Sequence, residues 1–234
     1  MDKNKEKLIV TIDGPAGSGK STAALLLAER LGIPHLDTGA MYRAVALDAL
    51  EQGIQDDPTR IAQRCRQLVL DFDWTKTPAD ILLNGRNVAA AIRQPQVTEM
   101  TYVAADNPLV RQELATLQRL IAQKAGSLVT EGRDQGTVVF PHANFKFYLT
   151  ANPEERARRR IAQLTPQKGG GGEREGGGAE LQNVLQQILQ RDQRDQARAV
   201  GPLARPHDAI ELDTTHLTIE QTVDAMIQHI QNNR

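Results

Sequence analysis

Ile12-Asp13-Gly14-Pro15-Ala16-Gly17-Ser18-Gly19-Lys20-Ser21-Thr22 decides the fold. The stretch meets the phosphate-loop pattern G-x-x-x-x-G-K-[ST] at every fixed position, from Gly14 through Gly19-Lys20-Ser21. Its glycines let backbone N–H groups turn inward around a polyphosphate. Lys20 can reach the β and γ oxygens, and the Ser21 hydroxyl can join a Mg²⁺ shell. The flanks agree with this reading. Leu8-Ile9-Val10-Thr11-Ile12 reads as a short buried strand. Ala23 to Leu31 carries apolar residues at helical spacing and stops at Gly32. A strand, a glycine turn and a helix N-terminus in that order predict a nucleoside triphosphate site, because the helix end presents partial positive charge to the anion.

The rest of the composition sets limits. A chain of 234 residues suits one α/β domain with small insertions. A formal net charge of −1 gives no whole-surface attraction to nucleic acid or to membranes, so any positive field must be local. The single cysteine, Cys65, allows neither an internal disulfide nor a cysteine-built zinc site; it suits a reducing compartment and reads as a small, partly buried hydrophobe. The charged start, Met1 to Lys7, leads into an apolar run too short for a signal peptide or a membrane span. A cytoplasmic monomer is expected, with no nucleic-acid or membrane partner.

Working outward, strand and helix signals alternate, which predicts a parallel sheet covered by helices. The other core strands are read at Pro34 to Asp37, Leu128 to Glu131, Phe145 to Leu149 and Ala209 to Asp213. Two segments break the alternation. From Arg66 to Glu99, a strand at Leu68 to Phe72 and a hairpin at Ile81 to Val88 turning on Asn84-Gly85 predict a small antiparallel insert. From Thr165 to Glu180, seven glycines fall within Gly169 to Gly178, which predicts a mobile surface loop, either a bare linker or the hinge of a lid. Thr218-Ile219-Glu220-Gln221 reads as a capping box ahead of a last structural helix.

A phosphate loop alone does not name a reaction. The remaining arginines and acids narrow the choice. Leu36-Asp37-Thr38-Gly39-Ala40-Met41-Tyr42-Arg43 places a hydroxyl and a planar cation close to the nucleotide loop. Leu128-Val129-Thr130-Glu131-Gly132-Arg133-Asp134 sets acids and an arginine at the carboxyl end of a strand, where open α/β sheets bind ligands. Glu131 is positioned like the acid that meets Mg²⁺ in phosphate-loop enzymes. Arg156, Arg158, Arg159 and Arg160 precede the glycine tract, and Arg191, Arg194 and Arg198 follow it, interleaved with Asp192 and Asp195. Such runs are usually solvated helix faces; around a triphosphate site they read as cations on the transferring phosphoryl group.

These motifs resemble bacterial-type cytidylate kinase, of the nucleoside monophosphate kinase group. The likeness covers nearly the whole chain: residues 13–22, Leu36 to Arg43, the turn at Leu82-Leu83-Asn84-Gly85, Val103 to Arg111, Glu131 to Pro141, and Arg191-Asp192 through Val200. The resemblance implies a P-loop NTPase fold: a five-stranded parallel sheet with helices, a small antiparallel β insert and a short lid. It divides a single kinase unit into a core of about residues 1–63, 100–155 and 195–234, an insert of about 64–99 and a lid of about 156–194. It implies transfer of the ATP γ-phosphoryl group to CMP or dCMP with Mg²⁺. Under it, Gly14 to Thr22, Arg156 and Arg160 bind ATP. Lys20, Arg43, Arg133 and Arg159 carry catalysis, and Ser21 and Glu131 hold the metal. Thr38, Arg43 and Arg133 hold the monophosphate, with Arg191 among the substrate contacts and Arg194 a further lid cation. Thr101, Arg111 and Asp134 read the cytosine; Asp195 bonds the sugar, with Arg198 beside it. Asp134 suits that role, since a carboxylate accepts from the cytosine N4 amino group but meets an oxygen on uracil. A kinase for another small acceptor, or a non-catalytic nucleotide-binding module, would share the phosphate loop.

Overall fold

The computed structural model describes residues 7–164 and 177–233. The chain runs β1 (Ile9–Asp13), α1 (Lys20–Leu31), β2 (His35–Asp37), α2 (Thr38–Glu51), α3 (Pro58–Cys65), β3 (Leu70–Asp73), β4 (Asp80–Leu83) and β5 (Arg86–Asn87). It continues through α4 (Pro95–Met100), α5 (Tyr102–Ala105), α6 (Pro108–Ala125), β6 (Leu128–Gly132), β7 (Phe145–Thr150), α7 (Pro153–Leu164), α8 (Gly177–Gln196), β8 (Ile210–Asp213) and α9 (Ile219–Asn232). Five strands form a parallel sheet in the order β2-β6-β1-β7-β8. All five expected core strands are present, with ends shifted by a residue or so. The first helix begins at Lys20, three residues before the apolar periodicity announces it. Polar Lys20-Ser21-Thr22 forms its opening turn, outside the apolar period.

Apolar packing covers both faces of the sheet, as parallel strands require. On one face Val10, Ile12, Val129 and Phe147 pack against Ala23 and Leu27 of α1 and Val223, Met226 and Ile230 of α9. On the other, Leu36 and Leu128 join a larger core built from α2, α3 and α6. The antiparallel sheet β3-β4-β5 has no separate core. Leu70, Phe72, Ile81 and Leu83 pack into the same cluster as Met41 and Val45 of α2. The hairpin turns as expected: Asn84 and Gly85 take φ of 51° and 79°, both in the left-handed region that a type I′ turn needs.

The expected mobile glycine loop falls mostly on residues 165–176, which lie outside the described residues. Its last two glycines, Gly177 and Gly178, instead open α8. Helices α7 and α8 pack on each other through Ala157, Val184 and Ile188. At the C-terminus both halves of the capping box form. Gln221 N–H donates to Thr218 Oγ1 at 3.2 Å, and Thr218 N–H donates to Gln221 Oε1 at 2.9 Å. Among the described residues no helix is long and apolar enough to cross a membrane. Cys65 is more fully buried than expected, and burial pushes its thiol up to about 12.

Candidate active site

The parallel register puts two of the expected site segments side by side. β1 and β6 pair Asp13 with Gly132, so the phosphate loop and the Arg133-Asp134 turn leave the sheet at the same edge. Glycine at two loop positions is dictated by close approach. A Cβ on Gly14 would lie 2.2 Å from the Leu149 carbonyl oxygen, and one on Gly17 would lie 2.9 Å from Arg156 Cβ.

Lys20 is 7 % exposed and donates to the Pro15 carbonyl at 3.2 Å. Burial, then the like charge of Arg133, pushes its ammonium down to about 7, with Glu131 and Asp195 opposing. A polyphosphate would reverse that balance. Ser21 Oγ donates to Glu131 Oε1 at 2.7 Å, bringing together the two residues expected at the metal. Both offer hard oxygens, the donor type Mg²⁺ prefers.

Among the residues expected to hold the acceptor, Thr38 Oγ1 donates to the Glu131 carbonyl at 2.7 Å. Arg43 Nη2 meets Asp37 Oδ2 at 2.9 Å, while Asp37 Oδ1 caps α2 by accepting from Ala40 N–H. Arg133 Nε donates to Asp195 Oδ2 at 2.8 Å. The other Asp195 oxygen meets Arg198, and Arg198 also reaches Asp106 at 2.7 Å. Burial alone would raise the Asp195 carboxyl; Arg133, Arg198 and Arg191 outweigh it and hold it below the usual carboxylate range. Arg111 and Asp134 pair at 2.6 Å with side chains 4 % and 6 % exposed. Arg111 also donates to the Ala105 carbonyl and lies 5.2 Å over the Tyr42 ring. Thr101 is not bonded to this pair; its hydroxyl donates to Val97 O at 2.9 Å within its own helical turn.

The arginines of α7 and α8 divide by direction. Arg191 keeps exposed surface. Its guanidinium is nevertheless held down to about 10 by shielding from water, then by Arg133, with Arg43 and Arg160 adding to the repulsion. Arg159, expected among the catalytic groups, lies against the phosphate loop: a Cβ on Gly19 would be 3.7 Å from its Nη1. It donates to Thr214 Oγ1 at 2.9 Å and lines a cleft of about 520 Å³ with Gly19, Thr22, His216, Leu217 and Thr218. Arg156, expected on ATP, is buried and spends its donors on the Ala151 and Ala16 carbonyls and on Asp192. Asp192 in turn accepts from Ala16 N–H at 3.0 Å, so this pair braces α7 and α8 under the phosphate loop. No linear motif assigns Asp192 a role. Its spacing of three from Asp195 places both on one face of α8, which was the available signal.

Comparison with known proteins identifies the family. A family model described as cytidylate kinase matches residues 10–232. A cytidylate kinase from Citrifermentans bemidjiense is 43% identical over 220 residues, covering 94% of this chain and 91% of that protein. One from Pseudomonas savastanoi pv. phaseolicola is 43% identical over 226 residues, covering 95% and 94%. Among solved structures, an uncharacterized protein from Eubacterium ventriosum shares the fold at a TM-score of 0.50 and 13% identity, covering 96% of this chain and 98% of that one. Matched along nearly its full length by the family model and by these relatives, the chain belongs to the cytidylate kinase family.

Proposed function

We propose that this cleft carries out ATP + (d)CMP → ADP + (d)CDP by alignment and charge neutralisation. The acceptor is a phosphate oxygen already ionised near neutral pH, so no general base is needed. Phosphoryl transfer then depends on holding donor and acceptor in line and on cations around the equatorial oxygens. Lys20 serves the donor phosphates. Arg43 and Arg133, with Thr38, hold the monophosphate, and Arg160 and Arg191 approach it from α7 and α8. Mg²⁺, held by Ser21 Oγ and the Glu131 carboxylate, would supply further positive charge at the β and γ oxygens. Arg159 and its cleft take the nucleoside end of ATP. Helices α7 and α8 act as the lid, excluding water that would otherwise take the phosphoryl group.

The observation that carries the acceptor assignment is the buried Arg111–Asp134 pair beside Arg133. Arg111 Nε and Arg43 Nε are both buried without a protein acceptor. Each such group costs about 1–3 kcal/mol, a penalty that an anionic, base-bearing ligand would relieve. The free Cys65 thiol fits a reducing cytoplasm, and a net charge of −1 fits free nucleotides as partners rather than nucleic acid or a membrane surface.

A coupled assay for ADP across CMP, dCMP, UMP and AMP tests the reading. Turnover is expected with CMP and dCMP and should fall about ten- to hundredfold for UMP, the value of one mispaired buried polar group. Turnover dependent on another acceptor, or none at all, would overturn it.

A further inference from the structure

We infer that Asp13 is a positioning residue for the acceptor nucleotide: its carboxylate ties the end of the phosphate-loop strand to the turn that carries Arg133 and Asp134. The inference rests on the reading that those two residues meet the acceptor.

Asp13 is the last residue of β1, is fully buried, and is followed directly by Gly14 of the phosphate loop. Both its oxygens are in use. Oδ1 accepts from Gln135 N–H at 2.9 Å and Oδ2 from Gly136 N–H at 2.7 Å. In register, Asp13 pairs with Gly132. Only Arg133 and Asp134 lie between that paired residue and the two amides Asp13 holds.

The far side of the turn is equally fixed. The Gln135 side chain accepts from Thr130 Oγ1 at 2.9 Å and donates to Gln118 Oε1 at 3.1 Å. Gly136 is walled in: a Cβ there would lie 2.8 Å from Pro206 and 3.0 Å from Thr11 Oγ1. One carboxylate therefore sets the distance between a loop that grips the donor and a two-residue span that grips the acceptor. Burial pushes this acid up to about 7; Gly136 and Gln135 N–H and the Arg133 charge pull against that, while Asp134 adds to it. A buried acid is a costly way to satisfy two amides, which fits a role that demands geometry rather than stability alone.

Asp13→Asn keeps the volume but turns one acceptor into an amide donor facing another N–H. The KM for CMP should rise about tenfold or more and the CMP-over-UMP ratio of kcat/KM should shrink severalfold, with the KM for ATP within about twofold. A merely structural role predicts a lower melting temperature with both acceptors and ATP affected alike, and that result overturns the assignment. So does wild-type behaviour. If the variant does not fold, amide hydrogen exchange on the wild-type protein decides. Gln135 and Gly136 should slow more on adding CMP than on adding ATP, and equal or absent slowing overturns the assignment. A wild-type protein without CMP-dependent turnover removes the underlying reading as well, whereas CMP turnover with an unshifted variant removes this inference alone.

Discussion

Lys20 shows what a catalytic side chain asks of the fold. An ammonium held down to about 7 by burial costs most below that pH, and the cost shrinks as pH rises toward the ordinary 10.5. Lys20→Met should therefore raise the melting temperature of the nucleotide-free protein, by more near pH 6 than near pH 9, while turnover falls by orders of magnitude. Calorimetry at both pH values and the ADP assay check the two halves; a variant that keeps near-normal turnover would remove Lys20 from the reaction. Asp134→Asn makes a different demand. It converts an acceptor-only group into one that can also donate, so CMP activity should drop while the gap to UMP narrows. An equal fall on both substrates would leave Asp134 a structural partner of Arg111. At this scale the sequence was legible where function is written contiguously: Gly14 to Thr22 could be read outright. Arg156, Arg159 and Arg160 could not be told apart, because successive helix positions point about 100° apart and only the packing of α7 shows that Arg156 is buried against Asp192 while Arg159 reaches Thr214. Asp13 was unreadable for the converse reason, since its partners Gln135 and Gly136 are brought to it by the sheet alone.

Elements were easier to read than their attachments. The strand and hairpin signals at residues 81–88 rest on local turn chemistry, and the structure has the same turn at Asn84-Gly85. Gly85→Val should destabilise that hairpin by about 1–2 kcal/mol, the cost of a side chain in the left-handed region, measurable by denaturant unfolding. How α7 and α8 are tied down was hidden, because the Arg156–Asp192 pair joins helices separated by a glycine-rich segment that gives no register. Removing one member of a buried pair leaves the other uncompensated, at about 3–5 kcal/mol. Asp192→Ala should thus loosen both helices from the phosphate loop and raise the KM for ATP more than that for CMP. If the KM for CMP rises instead, the brace belongs to the acceptor side.

Across the whole molecule, the strand order could be expected only in outline: alternation in the sequence announces a parallel sheet but not that β1 lies at its centre. The two apolar cores follow from that placement, one joining α1 to α9 and the other holding α2, α3, α6 and the small sheet. The central position of β1 also bears on how the chain is made. Ile9 finds its neighbour at Leu128 and Val10 finds its other neighbour at Phe145. β1 is therefore made well before both its neighbours and is among the last strands to be enclosed, while residues 38–125 can gather their own core beforehand. Pairing over such separations is slow to nucleate. A nascent chain arrested before Leu128 clears the exit tunnel should expose β1 to protease and to chaperones, and one released past Thr150 should shield it.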